Sequence, residues 1–125
     1  MATVELTKDN FEATVSRDGI VLVDCWASWC GGCEKFGPIY EEVASRHPEH
    51  VFGKLNTHAE DALVSSLGVE HIPSLLLYRD GILLFQQPGN FDEEALEDIV
   101  SQAESIDMDV VRAHMASEQA GSDSG

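Results

Sequence analysis

The clearest apolar run in the chain is Ile20-Val21-Leu22-Val23-Asp24-Cys25-Trp26, broken by a single carboxylate. A run of strand length without alternation predicts a strand covered on both faces, hence a central one. Before it, Thr7 or Asp9 offers a cap for a short helix over about residues 9–17, with Phe11 and Val15 one turn apart. Asp18-Gly19 predicts a turn. Beyond the run the period changes. Phe36, Ile39, Tyr40, Val43 and Ala44 recur at helical spacing and predict a helix from Cys33 to about His47, ended by Pro48. Pro38 lies inside this stripe, which continues past it, so a kink rather than a break is expected.

The rest of the pattern alternates in kind. Val51 to Asn56 predicts a second strand, and Ala59 to Leu67 a short helix that stops at Gly68. Ser74 to Tyr78 and Ile82 to Gln87 predict two strands joined by Arg79-Asp80-Gly81, where Asp-Gly is a hairpin signal. Pro88-Gly89-Asn90 breaks the second of them, and Asp92 caps a helix whose buried stripe is Leu96, Ile99, Val100 and Ala103. Strand, helix, strand, helix, hairpin, helix implies parallel pairing through a crossover helix plus antiparallel strands from the hairpin. The expected class is therefore α/β with a mixed sheet. Val110, Val111 and Met115 suit one or two further helical turns over Asp107 to His114. The small, polar stretch Ala116 to Gly125 predicts a disordered tail. The expected organisation is one domain over residues 1–106 and an acidic extension over 107–125 that is dispensable for folding.

At 125 residues and 43% apolar content the chain suffices for one core. It has no apolar run of membrane-spanning length, so no membrane role is expected. Its start, Met1-Ala2-Thr3-Val4-Glu5, lacks a basic segment followed by an apolar one, which favours the cytoplasm. Three cysteines, two of them in Cys-x-x-Cys, do not suit a secreted disulfide framework. The net charge is −16, of which −9 falls on residues 92–125. Nucleic acid is thereby an unsuitable partner. Solubility, adaptation to salt (only Lys8, Lys35 and Lys54 are lysines) and attraction of basic partners all remain compatible with the acidity.

Candidate chemistry centres on Trp29-Cys30-Gly31-Gly32-Cys33, where the central strand hands over to the helix. A helix N-terminus carries partial positive charge and free amide N–H groups, which favour thiolate over thiol. Thiolates attack disulfides, so the spacing points to a reversible dithiol/disulfide pair. Half of a zinc site is the alternative, but zinc takes about four ligands, and neither a second Cys-x-x-Cys nor a His-x-x-x-His is present. No metal is expected, and His47, His50, His58 and His114 read as solvated polar positions. Asp24 is an acid within an apolar strand; burial raises a carboxyl pKa and suits it to exchange a proton near neutrality. Lys54, on the next strand, is the candidate partner of Asp24. Cys25, on the opposite face from Asp24, reads as a buried small hydrophobe.

These residues carry a resemblance to the thioredoxin family. Val21 to Cys33, with Pro38 following, resembles the active-site strand and helix of the family; Lys54-Leu55-Asn56 resembles its third strand; Ile72-Pro73-Ser74-Leu75-Leu76-Leu77-Tyr78 resembles the strand that opens with its cis-proline. Asp80-Gly81 and Pro88-Gly89 fall at its hairpin turn and substrate-facing glycine, and the likeness covers residues 4–105 in order. It implies the thioredoxin fold: a central mixed sheet of four to five strands flanked by helices in three α/β/α layers. It also implies a thiol–disulfide oxidoreductase that reduces protein disulfides. In that scheme Cys30 is the nucleophile, Cys33 is the resolving thiol and is less exposed, Asp24 accepts the proton of Cys33, and Lys54 modulates Asp24. Trp29 would cover the dithiol and Trp26 pack beneath the loop. Gly31, Gly32, His71, Ile72, cis Pro73 and Gly89 would face substrate, with Ile72 pairing an extended segment by strand addition. The resemblance implies a monomer with no bound cofactor, whose partners are disulfide-containing proteins and a thioredoxin reductase drawing on NADPH or ferredoxin.

The chain departs from the family pattern at several positions. Gly31-Gly32 stands where Gly-Pro is usual, His71 where a small residue is common, His58 at an often acidic position, and Cys25 where an aromatic is usual. Two alternatives differ in class from a reductase: a disulfide oxidase or isomerase of the same fold, and an acidic docking or chaperone-like module with secondary redox activity.

Overall fold

The computed structural model describes residues 2–123, with side chains as far as Glu118. Five strands form one mixed sheet in the order β1-β3-β2-β4-β5. They are β1 (Thr3–Leu6), β2 (Ile20–Trp26), β3 (Val51–Asn56), β4 (Ser74–Arg79) and β5 (Ile82–Pro88). β1 and β2 both run parallel to β3, while β4 is antiparallel to β2 and β5 to β4. The hairpin turns at Asp80 and Gly81, both with positive φ, as the short hairpin connection requires. Asp80 Oδ1 accepts from the Gly19 amide, which ties this turn to the start of β2.

Alternation along β2 sorts the core into two layers. Ile20 and Leu22 pack with Phe36, Tyr40, Val43 and Ala44 of α2 (Gly31–Arg46) and with Leu96, Val100 and Ala103 of α4 (Glu93–Ser105). Val21, Val23 and Cys25 pack on the other face with Phe11 and Val15 of α1 (Phe11–Val15) and Val64 of α3 (Asp61–Ser66). The result is the three-layer α/β/α arrangement of the thioredoxin fold. Asp24 falls on the same face as Leu22, so its side chain lies beneath α2.

Three elements differ from the sequence expectation. β1, for which the sequence pattern predicts no element, is a short edge strand in which only Leu6 is buried, and such a strand has almost no hydrophobic pattern. Leu6 is held by close approach to Gly53, where a Cβ would stand 2.8 Å from Leu6 Cγ. The helix at the dithiol starts two residues earlier than expected, at Gly31, and runs through Pro38 to Arg46. Beyond Asp107 the backbone forms a single helix, α5 (Met108–Asp123), longer than the one or two turns expected and helical where a disordered tail was expected. Ala113, Met115, Ala116 and Glu118 are strong helix formers, and Asp107 caps the start by accepting from the Asp109 amide. α5 is seated by Met108, which is buried, and by Arg112, whose guanidinium pairs with Asp80 at 2.9 Å. Ser124 and Gly125 lie outside the described residues.

Candidate active site

The site lies where the C-terminal end of β2 meets the first turn of α2. Residues 27–30 leave the strand, and the Cys30 amide donates to the Ala27 carbonyl. Cys30 is the N-cap of α2 in extended conformation, and its Sγ accepts from the Cys33 amide at 3.1 Å. A sulfur therefore takes the place that a capping oxygen usually holds, and it faces the amide groups left unpaired at the helix start. Cys30 and Cys33 are joined as a disulfide with Cα atoms 5.2 Å apart. Their exposures are 8% and 7%, so in this oxidised state the expected difference between an open Cys30 and a covered Cys33 is absent. Ala27, Trp26 and Ile72 pack around the pair.

Trp29 lies next to Cys30 in the turn that leads to the dithiol. It is 71% exposed and stands in solvent beside it, an apolar face open to a partner. Trp26 is partly buried against Cys30 and Cys33, which matches packing beneath the loop.

Asp24 is 1% exposed, and its Oδ1 has no hydrogen-bond partner among the described residues. Burial pushes its carboxyl up to about 7, against the opposing pull of the Lys54 ammonium. Lys54 is the register partner of Asp24 on β3. Its Nζ lies 5.3 Å from the Trp26 ring centroid and 3.8 Å from where a Cβ on Gly37 would sit. Trp26, Cys33, Gly37, Pro38 and Lys54, with Glu34 and Glu41, line one crevice of about 420 Å³. Water entering that crevice reaches both Cys33 and the Lys54 ammonium.

On the other side of the disulfide, the Ile72–Pro73 bond is cis and Pro73 is buried. The Gly89 amide donates to the Pro73 carbonyl at 2.9 Å. Gly89 has φ of +130° and open space where a Cβ would be, so its position is approachable from outside. Gly31 is exposed and likewise unobstructed, whereas Gly32 is crowded. A Cβ on Gly32 would lie 2.9 Å from Asn90 Nδ2 and 3.2 Å from Pro73 Cδ. Asn90 was not among the expected site residues; it follows Gly89 directly but meets Gly32 only through the fold. His71 is exposed at the edge of this groove. The candidate residues thus divide into a crevice lined by Cys33 and Lys54, with Asp24 buried on the strand beside Lys54, and a groove formed by Gly32, Ile72, Pro73 and Gly89.

Two histidines set aside as solvated positions are not solvated. His47 and His50 have side chains 18% and 12% exposed and lie with rings nearly parallel, centroids 5.8 Å apart. Each is paired to a carboxylate, His47 Nε2 to Glu97 at 2.9 Å and His50 Nε2 to Glu104 at 2.8 Å. The His-x-x-His spacing was the available signal.

Comparison with known proteins agrees with this geometry. The pattern of the family described as Thioredoxin matches residues 2–102. The chain is 47% identical to a Streptomyces coelicolor protein described as "Putative thioredoxin 2" over 119 residues, covering 95% of this chain and 89% of that one. It is 39% identical to the thioredoxin of Alicyclobacillus acidocaldarius over 77% of this chain and 92% of that protein. Among solved structures, a mutant thioredoxin from Halobacterium salinarum superposes with a TM-score of 0.77 at 27% identity, covering 84% of this chain and 93% of that one. The Malassezia sympodialis thioredoxin shares the fold with a TM-score of 0.73 at 22% identity, over 82% of this chain and 92% of that one.

Proposed function

The chain belongs to the thioredoxin family and is a thiol–disulfide oxidoreductase, and we propose that it acts as a cytoplasmic, monomeric dithiol donor in which each site residue has a distinct task. Cys30, capping α2, is the attacking thiolate. Its sulfur attacks one sulfur of a partner disulfide; that S–S bond breaks, a mixed disulfide forms, and the partner's other sulfur leaves as a thiolate that takes up a proton. Asp24, buried beneath α2, accepts the proton of Cys33, and the Cys33 thiolate attacks Cys30 Sγ. The mixed disulfide breaks, the partner leaves with two thiols, and Cys30–Cys33 becomes the disulfide. Two electrons have moved from the protein to the partner. Lys54, opposite Asp24, lowers the cost of holding the carboxylate charged.

The groove along Ile72, Pro73 and Gly89 suits an extended segment of the partner, laid beside the disulfide by backbone pairing and approached closely at Gly89. Trp29 supplies apolar contact and His71 a polar edge. Recharging then falls to a thioredoxin reductase fed by NADPH or ferredoxin, and the protein holds no cofactor of its own.

The observation that carries this reading is Cys30 at the N-cap of α2 with Cys33 in the first turn, joined as a disulfide. The test is trapping. Cys33→Ser leaves the attacking thiol but not the resolving one, so it should accumulate a mixed disulfide with a protein-disulfide substrate; Cys30→Ser should not. The reverse pattern would exchange the two roles. Equilibration against glutathione should give a strongly reducing potential, whereas an oxidising one would favour the oxidase or isomerase reading.

A further inference from the structure

At the far end of α2 from the disulfide, His47, Glu49, His50 and Glu104 converge, and their donor atoms all lie within 4.8 Å of one another. We propose that these four residues bind a divalent transition-metal ion of the zinc type, clamping the α2–β3 loop to the last turn of α4.

The distances suit such an ion. Nitrogen and oxygen donors of tetrahedral zinc lie about 2.0–2.1 Å from the metal and therefore about 3.4 Å from each other. Here His47 Nδ1 is 3.2 Å from Glu49 Oε1, His50 Nε2 is 2.8 Å from Glu104 Oε2, and His50 Nε2 is 3.8 Å from Glu49 Oε1. Movements of a fraction of an ångström to about one ångström close the set. Two imidazoles with two carboxylates select a borderline ion over calcium or magnesium, which take oxygen donors.

The rings are held before any ion arrives. His47 stacks on His50 and, at 6.3 Å between centroids, on Phe52 of β3. Its Nε2 lies 2.9 Å from Glu97 Oε2, and a carboxylate can only accept. His47 therefore donates its Nε2 proton to Glu97, which in the neutral ring leaves the Nδ1 lone pair on the side of Glu49, free to bind an ion. A carboxylate holding the second ring nitrogen is the usual outer support of a metal-bound histidine.

The local charges also call for a cation. Glu104 sits in the last turn of α4, where the helix end is partially negative and a further carboxylate is misplaced. Arg79 reaches this region, but its Nη1 is committed to the carbonyls of Ala103 and Ile106, each at 2.6 Å. In the metal-free protein the ring protons of His47 and His50 lie between these carboxylates, with the Arg46 guanidinium 3.7 Å from Glu97, and an ion at the centre replaces the ring protons facing Glu49 and Glu104. α2 has 16 residues, so the cluster lies about 24 Å from the dithiol along the helix axis. The ion is thus expected to stabilise the fold without touching the redox centre.

The test uses the full-length, tag-free protein, stripped with chelator and kept oxidised so that Cys30 and Cys33 cannot compete as ligands. Zinc is titrated by calorimetry, and the melting temperature is followed against zinc concentration. The proposal expects one ion per chain with a dissociation constant of about 10 μM or tighter, and a melting temperature that rises with zinc. His50→Ala and Glu104→Gln should weaken binding at least about 10-fold and remove most of the thermal shift, while His58→Ala should change neither. Glu104 is exposed, so its variant keeps the test valid if His50→Ala fails to fold. No binding at about millimolar zinc, or equal binding by Glu104→Gln and the unaltered protein, would overturn the site and leave the cluster as ion pairs only.

Discussion

Asp24 and Lys54 are register partners on adjacent parallel strands, yet the lysine carries its ammonium over the Trp26 ring and the carboxyl remains buried beneath α2. The carboxyl therefore gains too little from its neighbour to ionise at the usual pH, and its pKa stands at about 7. The unfolded chain would hold the same group near 3.9, on the order of three units lower. The native state thus binds the extra proton between those two values, and stability falls as pH rises through that window.

Asp24→Asn removes that dependence. At neutral pH and above, the variant should be more stable by on the order of 3 kcal/mol, and the decline in stability between about pH 4 and pH 7 should flatten. Its disulfide exchange should slow by about 100-fold at neutral pH, the usual size of a lost positioned base, and its pH–rate profile should lose the inflection near the Asp24 pKa. Thermal melts across pH together with single-turnover exchange rates check both. A profile with the same inflection in the variant would remove Asp24 from the proton path.

Cys25 differs from the dithiol by environment alone. It is fully buried on the α1/α3 face, and burial, helped by the Asp24 charge, pushes its thiol up to about 12. Almost no thiolate forms at neutral pH, and reagents have no path to it. In the reduced native protein a colorimetric thiol reagent should therefore titrate two groups rapidly and the third only after denaturant is added. Three fast thiols in native buffer would show that β2 opens on the timescale of labelling.

Much of this architecture was legible along the chain, and the parts that were not share a physical cause. Ile20 to Trp26 announced a central strand because both of its faces are covered, and Cys30 to Cys33 announced the site because that chemistry needs a fixed spacing on one helical turn. β1 was silent because an edge strand buries little, so Leu6 alone carries its signal. Asn90 was silent because its meeting with Gly32 is made by the fold and not by spacing. His47 and His50 looked solvated because burial of the α2–β3 loop comes from α4, about fifty residues away in sequence.

Gly53 is the point where β1 packs onto β3. A Cβ there would stand 2.8 Å from Leu6 Cγ and 3.4 Å from the Leu22 carbonyl oxygen. Leu6 cannot swing aside without leaving the core layer of Phe11 and Val15. Gly53→Ala should therefore cost about 1–3 kcal/mol, the usual range for overpacking, despite the general gain from replacing glycine in a strand. Combining it with Leu6→Ala should restore part of the loss, and denaturant unfolding of both variants measures it. An unchanged stability for Gly53→Ala alone would show that β1 moves freely.

Gly32 raises the same question at the redox centre. The space above it is held by Asn90 Nδ2 at 2.9 Å and Pro73 Cδ at 3.2 Å from a built Cβ. The amide end of Asn90 can rotate away, but the proline ring cannot. Gly32→Ala gains up to about 1 kcal/mol of helix propensity and loses a comparable amount to the contact, so alone it should be close to neutral. With Asn90→Ser the obstruction shrinks, and the double variant should exceed the sum of the singles by about 0.5 kcal/mol or more. Additivity within about 0.3 kcal/mol would mean that Asn90 does not hold that space.

The extension beyond residue 106 read as dispensable, but α5 is anchored at its first residue. Met108 is 6% exposed, and Arg112 reaches back to Asp80 in the hairpin turn. The ion pair is half exposed at the arginine and contributes little. Burial of the methionine is worth about 1.5–3 kcal/mol. Ending the chain after Asp107 should therefore leave a folded, redox-active domain whose melting temperature falls by about 5–10 °C. Ending it after Arg112 keeps both anchors and should cost only a small part of that drop. If both truncations melt with the full chain, Met108 contributes nothing to the core; if both fall equally, residues beyond Arg112 carry the stabilisation instead.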